Sequence, residues 1–194
     1  MPGHCARQRT RYNRAPMDPV LTTPRLDLYR PQPHDHAALL TLLGDDEVRL
    51  HLGNRPTSAV EEFNRLCRNA GSWALYGYGT FICRTRGSDA VLGICGVFHS
   101  WRGFGKGMDD TPEIGWIFAR ETWGRGIASE AASAALAWFD ANHGPLRVAC
   151  MIEDGNAASF AVASRLGFVE YARHFPDEAV PGEGEMPLVL LERG

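Results

Sequence analysis

The chain has 194 residues, 44% of them hydrophobic and 22% charged, with a formal net charge of −3. That is enough apolar material for one domain with its own core, and the near-neutral balance argues against a dedicated nucleic-acid binder. No stretch approaches the roughly 20 apolar residues of a membrane-spanning helix, and five scattered cysteines with no Cys-x-x-Cys pair and no secretory signal favour free thiols in a reducing cytoplasm.

Residues 1–20 are polar and carry Arg7, Arg9, Arg11 and Arg14, which reads as a disordered basic tail, with Met17 as an alternative start. Residues 26–29 alternate as a first strand. Residues 34–43 carry Ala37, Leu39, Leu40, Leu42 and Leu43 at helical spacing, closed by Gly44. No metal site is expected at His34-Asp35-His36, because adjacent side chains on a helix diverge and no further ligand cluster is near in sequence. Ser58 and Glu61 form a capping box for a helix to about Asn69. Residues 80–84 and 91–98 read as a hairpin around Arg86-Gly87-Ser88-Asp89. Residues 100–112 form a glycine-rich connector, or a flap on the substrate side, without the spacing of a nucleotide-binding loop.

Glu113 then opens a strand through Ala119, in which Ile114, Trp116 and Phe118 alternate with Gly115 and Ile117. Trp123-Gly124-Arg125-Gly126 breaks it. Residues 128–142 are rich in helix formers, and His143-Gly144-Pro145 stops them. Two glycines ahead of a helix let the backbone approach a ligand, and the free N–H groups and dipole of that helix suit a phosphate or pyrophosphate. A plain strand-to-helix turn would look the same. Residues 146–152 read as a strand, Glu153-Asp154-Gly155 as a turn, and Asn156 as the N-cap of a helix through Leu166. Gly167 suits a left-handed cap, with Phe168 packing back. Residues 168–174 and 186–191 read as the last strands, around a loop holding Asp177, Glu178, Glu183 and Glu185. That loop is either solvated surface or an acidic lip for a cationic acceptor.

Three motifs carry a family resemblance. Trp123-Gly124-Arg125-Gly126-Ile127-Ala128, followed by Ser129-Glu130-Ala131, resembles the pyrophosphate loop of the GNAT superfamily of acyl-CoA-dependent N-acetyltransferases. Trp123 departs from the superfamily's Gln or Arg but matches the branch of ribosomal-protein N-terminal acetyltransferases. Asn156-Ala157-Ala158-Ser159 with Arg165-Leu166-Gly167-Phe168 is similar to the family's downstream block, and Thr23-Pro24-Arg25-Leu26 to the branch's opening strand. Together, in family order, they span about residues 20–192.

The resemblance implies an α/β (α+β) domain over residues 21–194, with a mixed, twisted sheet of about seven strands and helices on both faces. It implies acetyl-CoA as donor, with its pyrophosphate on Arg125, Gly126, Ile127, Ala128 and Ser129 and its pantetheine on the backbone of Ile117, Phe118 and Ala119. It also implies an N–H near Ile117 on the thioester oxygen, and Asn156 and Ser159 on the opposite wall. Related enzymes often place a catalytic Glu where Glu113 stands. Many place a Tyr acid seven residues after the motif's Asn, where this chain has Ala163, leaving Ser159 or water to protonate the thiolate. The acceptor is an amine: a protein N-terminus, or a small amine such as an antibiotic or polyamine. A non-catalytic acyl-CoA-binding module stays open, and so does a homodimer.

Overall fold

In a computed structural model of the chain, the structure describes residues 18–53, 56–175 and 186–194. Its elements are β1 (Leu21–Thr22), β2 (Leu26–Tyr29), α1 (His36–Gly44), α2 (Asp46–Arg49), α3 (Ala59–Tyr76), β3 (Phe81–Thr85), β4 (Val91–Trp101), β5 (Asp109–Phe118), α4 (Ile127–His143), β6 (Val148–Glu153), α5 (Ala157–Arg165), β7 (Val169–His174) and β8 (Leu188–Arg193). Single 3₁₀ turns lie at Pro33–Asp35 and Arg120–Thr122. The strands form one sheet in the order β1-β2-β3-β4-β5-β6-β8-β7. Among the described strands only β5 and β6 pair in parallel, joined by the α4 crossover. The sheet has eight strands rather than seven, because Leu21 and Thr22 add a two-residue edge opposite Leu28 and Asp27.

Side-chain alternation divides the core between the two faces. Ile114 and Phe118 of β5 pack with Ile127, Ala131 and Leu136 of α4. Ile117, on the other face, packs with Leu39, Leu42 and Leu43 of α1 and Leu66 of α3. A smaller cluster on Met108, Ala149 and Leu190 closes the far end.

Two elements differ from the sequence reading. α3 runs on to Tyr76 and stops at the left-handed Gly77. Trp73 sustains its last turns by packing at 4.9 Å from Phe81 and 5.2 Å from Trp138, centroid to centroid, while its Nε1 donates to Thr80 O. That contact outweighs the poor helix propensity of Gly71. The glycine-rich connector shrinks to residues 102–108, since β4 reaches Trp101 and β5 starts at Asp109. Asp109 accepts the N–H groups of Gly103 and Gly105, Arg147 donates to Gly107 O at 2.9 Å, and Met108 is fully buried. These contacts make the segment a packed turn. The basic tail over residues 1–17 and the acidic loop over residues 176–185 lie outside the described residues.

Candidate functional site

β5 and β6 begin as neighbours and then part. Their ladder pairs Glu113 with Ala149 and Ile114 with Cys150 and ends there, although β5 continues to Phe118 and β6 to Glu153. Each strand stays paired on its outer side, β5 to β4 and β6 to β8. The gap is therefore a wedge through an otherwise continuous sheet, lined by the inner backbone edges of two strands.

Ladder parity decides which groups face the wedge. Ala119 N–H donates to Leu92 O at 2.8 Å, and Ile117 lies opposite Ile94 two residues earlier. Antiparallel alternation turns the backbone groups of Ile117 and Ala119 toward β4, and those of Trp116 and Phe118 toward the wedge. An N–H at Ile117 is thus committed to the sheet, and the unpaired donors on this edge belong to Trp116 and Phe118. The Phe118 carbonyl accepts Trp123 Nε1 at 2.9 Å, which ties the following turn to the wedge's rim.

At the mouth of the wedge the chain turns through Gly124 and Gly126, with φ of 70° and 74°, and enters α4. A side chain at either position would force this left-handed backbone. No side chain caps α4, and its first backbone bond runs from Glu130 N–H to Gly126 O. The N–H groups of Ile127, Ala128 and Ser129 therefore open the helix with no intrahelical acceptor.

The first strand's motif braces this turn. Arg25 Nε and the Arg25 backbone N–H both reach the Glu130 carboxylate, which also accepts Thr23 Oγ1 at 2.6 Å. Arg25 Nη1 donates to Arg125 O at 2.7 Å. Burial pushes the Glu130 pKa up, but the bonds from Thr23 and Arg25 outweigh it and hold the carboxyl below its usual value.

On the opposite wall Asn156 Oδ1 accepts Ser159 N–H at 3.0 Å and so caps α5. Ser159 Oγ accepts Trp116 Nε1 at 3.3 Å, which links α5 to β5. Ala163 is wholly buried in the core, so its position offers no proton to the wedge.

Glu113 sits five residues into β5 and is 3% exposed, not at a loop end. Both its oxygens are held by Arg102, Nε to Oε2 at 2.8 Å and Nη2 to Oε1 at 2.5 Å. It shares the sheet face of Gly115 and Ile117, away from α4. Burial and the Glu113 charge push the thiol pKa of Cys150 up, leaving it a protonated core residue.

Sequence reasoning missed several of these partners. Arg102 gave no signal, because it meets Glu113 only after the chain folds through the packed 102–108 turn. His51 Nδ1 lies 2.8 Å from Glu153 Oε1, and Arg120 pairs with Glu47 at 2.7 Å. Glu47 of α2 and His51 just beyond it thus reach Arg120, two residues past β5, and Glu153 at the end of β6, on the two sides of the wedge. Glu62, in the first turn of α3, is fully buried, with Arg65 Nε 3.3 Å away. A charged residue at a core-facing helical position was the available signal for it.

Comparison with known proteins agrees with this geometry. Residues 25–169 match the model of the acetyltransferase (GNAT) domain. The chain is 31% identical over 150 residues to YkkB of Bacillus subtilis (strain 168), covering 76% of this chain and 83% of that one. It resembles a structure from Bordetella pertussis described as a GNAT-family acetyltransferase, with 32% identity, a TM-score of 0.76, and coverage of 90% and 98%. It shares its fold with RimL, a ribosomal L7/L12 alpha-N-protein acetyltransferase solved with coenzyme A, at 18% identity and a TM-score of 0.70 over 90% and 96% of the two chains. A wedge between two parallel strands, a glycine turn at its mouth and a family model spanning most of the chain lead to one conclusion: this protein belongs to the GNAT acetyltransferase family.

Proposed function

We propose that the protein transfers the acetyl group of acetyl-CoA to a primary amine, a protein or peptide N-terminus above all. The observation that carries this is the wedge, with the unpaired backbone N–H groups of Trp116 and Phe118 along one side and the uncapped start of α4 at its mouth. That edge suits the amide groups of pantetheine. The first turn of α4 suits a pyrophosphate, through the N–H groups of Ile127, Ala128 and Ser129 and the helix dipole, with Arg125 as an added cation. Bound acetyl-CoA supplies a thioester carbonyl carbon open to attack by an amine.

The chain's own residues have three tasks. The N–H of Trp116 or Phe118 donates to the carbonyl oxygen as negative charge builds there, a contribution of about 10²–10³ in rate for one such donor. Glu113, directly or through a water, accepts the proton that the incoming ammonium must lose before nitrogen can attack. Ser159 relays the second proton: its hydroxyl donates to the departing thiolate as it accepts the proton that the attacking nitrogen sheds on becoming an amide, and so ends as a neutral hydroxyl. With a thiol pKa near 8.5, that last task is the least demanding.

The N-terminal reading is supported by the branch resemblance and by the RimL fold, since RimL's name gives a ribosomal-protein N-terminus as its acceptor. A small-amine reading has its own support in the acetyltransferase MccE, which shares the fold at a TM-score of 0.66 and was solved with acetyl-CoA and AMP. The test is acceptor profiling by acetyl-CoA-dependent thiol release, with peptides and small amines side by side. Turnover of peptides blocked at every side-chain amine supports the proposal. Turnover of small amines alone moves the acceptor class. Tight CoA binding without thiol release on any amine makes the protein a binding module.

A further inference from the structure

A second concave site lies beside the wedge. α2 and α3, with Leu52, Pro56 and Thr57, line a cavity of ≈ 330 Å³ whose wall includes Arg49, Arg65, Arg68, Asn64 and Glu61. Volumes of about 300 Å³ and upward are those of small-ligand pockets. Three guanidiniums meet one carboxylate, and that carboxylate is occupied: Glu61 Oε2 accepts Ser58 N–H at 2.7 Å in the α3 capping box.

Each arginine is held differently. Arg49 is 9% exposed, donates from Nη1 to Leu43 O at 2.9 Å and pairs with Asp46, while its shielded Nε has no hydrogen-bond partner. Arg65 is tethered by the buried Glu62. Arg68 has no hydrogen bond or ion pair among the described residues. Desolvation first, then the like charges of Arg65 and Arg102, pull its pKa below the usual arginine value, with Glu62 opposing. Two fixed cations and one free one therefore converge on a cavity lined with neutral donors. Their repulsion is relieved when an anion enters.

The cavity also faces the reaction. Arg102, whose charge Arg68 feels, is the residue that grips Glu113. Leu43 of the wall packs in the cluster that holds Ile94 and Ile117. The cavity thus lies on the sheet face of Glu113, opposite the helix whose N-terminus takes the donor phosphate.

We infer that this cavity, walled by Arg49, Arg65 and Arg68, binds a carboxylate or phosphate carried by the acceptor, so the preferred substrate is an amine with an anionic group nearby. The inference rests on the acetyltransferase reading for what the anion is attached to. The anion has two possible sources: an acidic side chain near a peptide N-terminus, or the acid group of a small amino acid or phosphorylated amine.

The test uses matched acceptors that differ only in charge. Short peptides with Asp or Glu at the second to fourth positions are paired with their Asn or Gln twins, and glutamate and phosphoethanolamine with glutamine and ethanolamine. Thiol release is measured with acetyl-CoA, and binding to the CoA-saturated protein by calorimetry. The expected result is a kcat/KM or affinity at least tenfold higher for the anionic member of one series, and the series that discriminates identifies the source. Arg68→Gln should reduce that ratio several-fold, and Arg68→Glu should bring it to one or below. Neither variant removes a described hydrogen bond, but both remove a charge that offsets Glu62, so the ratios are compared only for variants whose circular dichroism and CoA affinity match the wild type. Equal use of anionic and neutral twins by the wild type, or a ratio unchanged in both variants, overturns the inference. Thiol release without discrimination leaves the acetyltransferase reading standing and removes the anion site. Discrimination in calorimetry without thiol release does the reverse.

Discussion

Arg25 Nη1 donates to the carbonyl of Arg125, 2.7 Å away and a hundred residues on, so a residue next to the first long strand fastens the glycine turn in front of α4. The same guanidinium grips Glu130 in the first turn of that helix. Two of the motifs read in the sequence are therefore one structural unit, in which Thr23 and Arg25 fasten Arg125 and Glu130, the two ends of the turn proposed to seat the phosphate.

Loosening this brace should act on the donor side first. Arg25→Ala is expected to weaken CoA binding roughly tenfold, the scale of effect when a binding element loses its positioning, with little change in the KM of the amine. Calorimetry with CoA and initial rates with varied amine check this. Unchanged CoA affinity would mean that the turn holds its shape alone. The brace has a pH signature too. Glu130 has a lowered pKa in the fold, so its contribution is present above the unfolded carboxylate value and is lost as pH falls through the folded one. Arg25→Ala should therefore destabilise more at pH 7 than at pH 3, measured as the difference in Tm from the wild type.

Gly126 separates backbone from contact effects. A Cβ there would meet only Arg25 Nη2, at 3.6 Å, an ordinary contact, but φ is 74°. A left-handed non-glycine residue costs about 1–2 kcal/mol. Gly126→Ala should lower Tm by a few degrees and weaken CoA binding about tenfold or more as the N–H groups tilt away. Gly77→Ala, left-handed at φ 78° at the end of α3 and with only an ordinary contact to His143 Cε1 at 3.5 Å, carries similar strain and should leave CoA affinity unchanged. Equal effects of the two on CoA binding would count against the turn as the phosphate seat.

Glu113 is a base only if its charge matters beyond its hold on Arg102. Glu113→Gln keeps the shape and should lower kcat about a hundredfold, within the usual range for a general base, most strongly at pH values below the amine's own pKa. Arg102→Lys, which keeps the charge but not the fork, should do less. Full activity of Glu113→Gln across pH would make the pair a structural bridge and leave catalysis to positioning. The loop carboxylates Asp177, Glu178, Glu183 and Glu185 invite a parallel test, in which neutralising all four raises the amine KM in a salt-dependent way if they attract a cation.

The buried Glu62 predicts a different pH dependence. Burial raises its pKa, with Arg65, His36 and Arg68 pulling back. Such a group supports the fold fully below the unfolded carboxylate pKa of about 4.3 and loses that support as pH rises through the folded value. Glu62→Gln, which does not ionise, should gain in Tm relative to the wild type between pH 4 and pH 8. A difference in Tm that stays flat over this range would mean that Arg65 fully compensates the buried charge.

What the sequence made legible is what local chemistry dictates. Strand periodicity located residues 26–29, and Asn156 marked the start of α5 because only a few side chains cap a helix well. The glycine turn and the helix that follows it could be read from local composition in the same way. What stayed hidden depends on distant partners. Nothing near Gly71 indicates that Trp73 will find Phe81 and Trp138 and carry α3 on to Tyr76. Nothing near Arg102 or His51 indicates Glu113 or Glu153. Ile117 is one residue from each of the backbone donors that face the wedge. Which of two neighbours faces the wedge depends on the register with β4, and register is a property of the sheet.

The central claim is that the donor occupies the wedge between β5 and β6 with its pyrophosphate at the start of α4. Backbone amide chemical shifts, followed as CoA is titrated into the ¹⁵N-labelled protein, test it most directly. The account predicts large shifts at Gly126, Ile127, Ala128 and Ser129, further shifts at Trp116 and Phe118, and a smaller response at Ile117, whose N–H is held by β4. Saturable binding that leaves residues 126–129 unmoved, or that moves Ile117 more than both its neighbours, would contradict it.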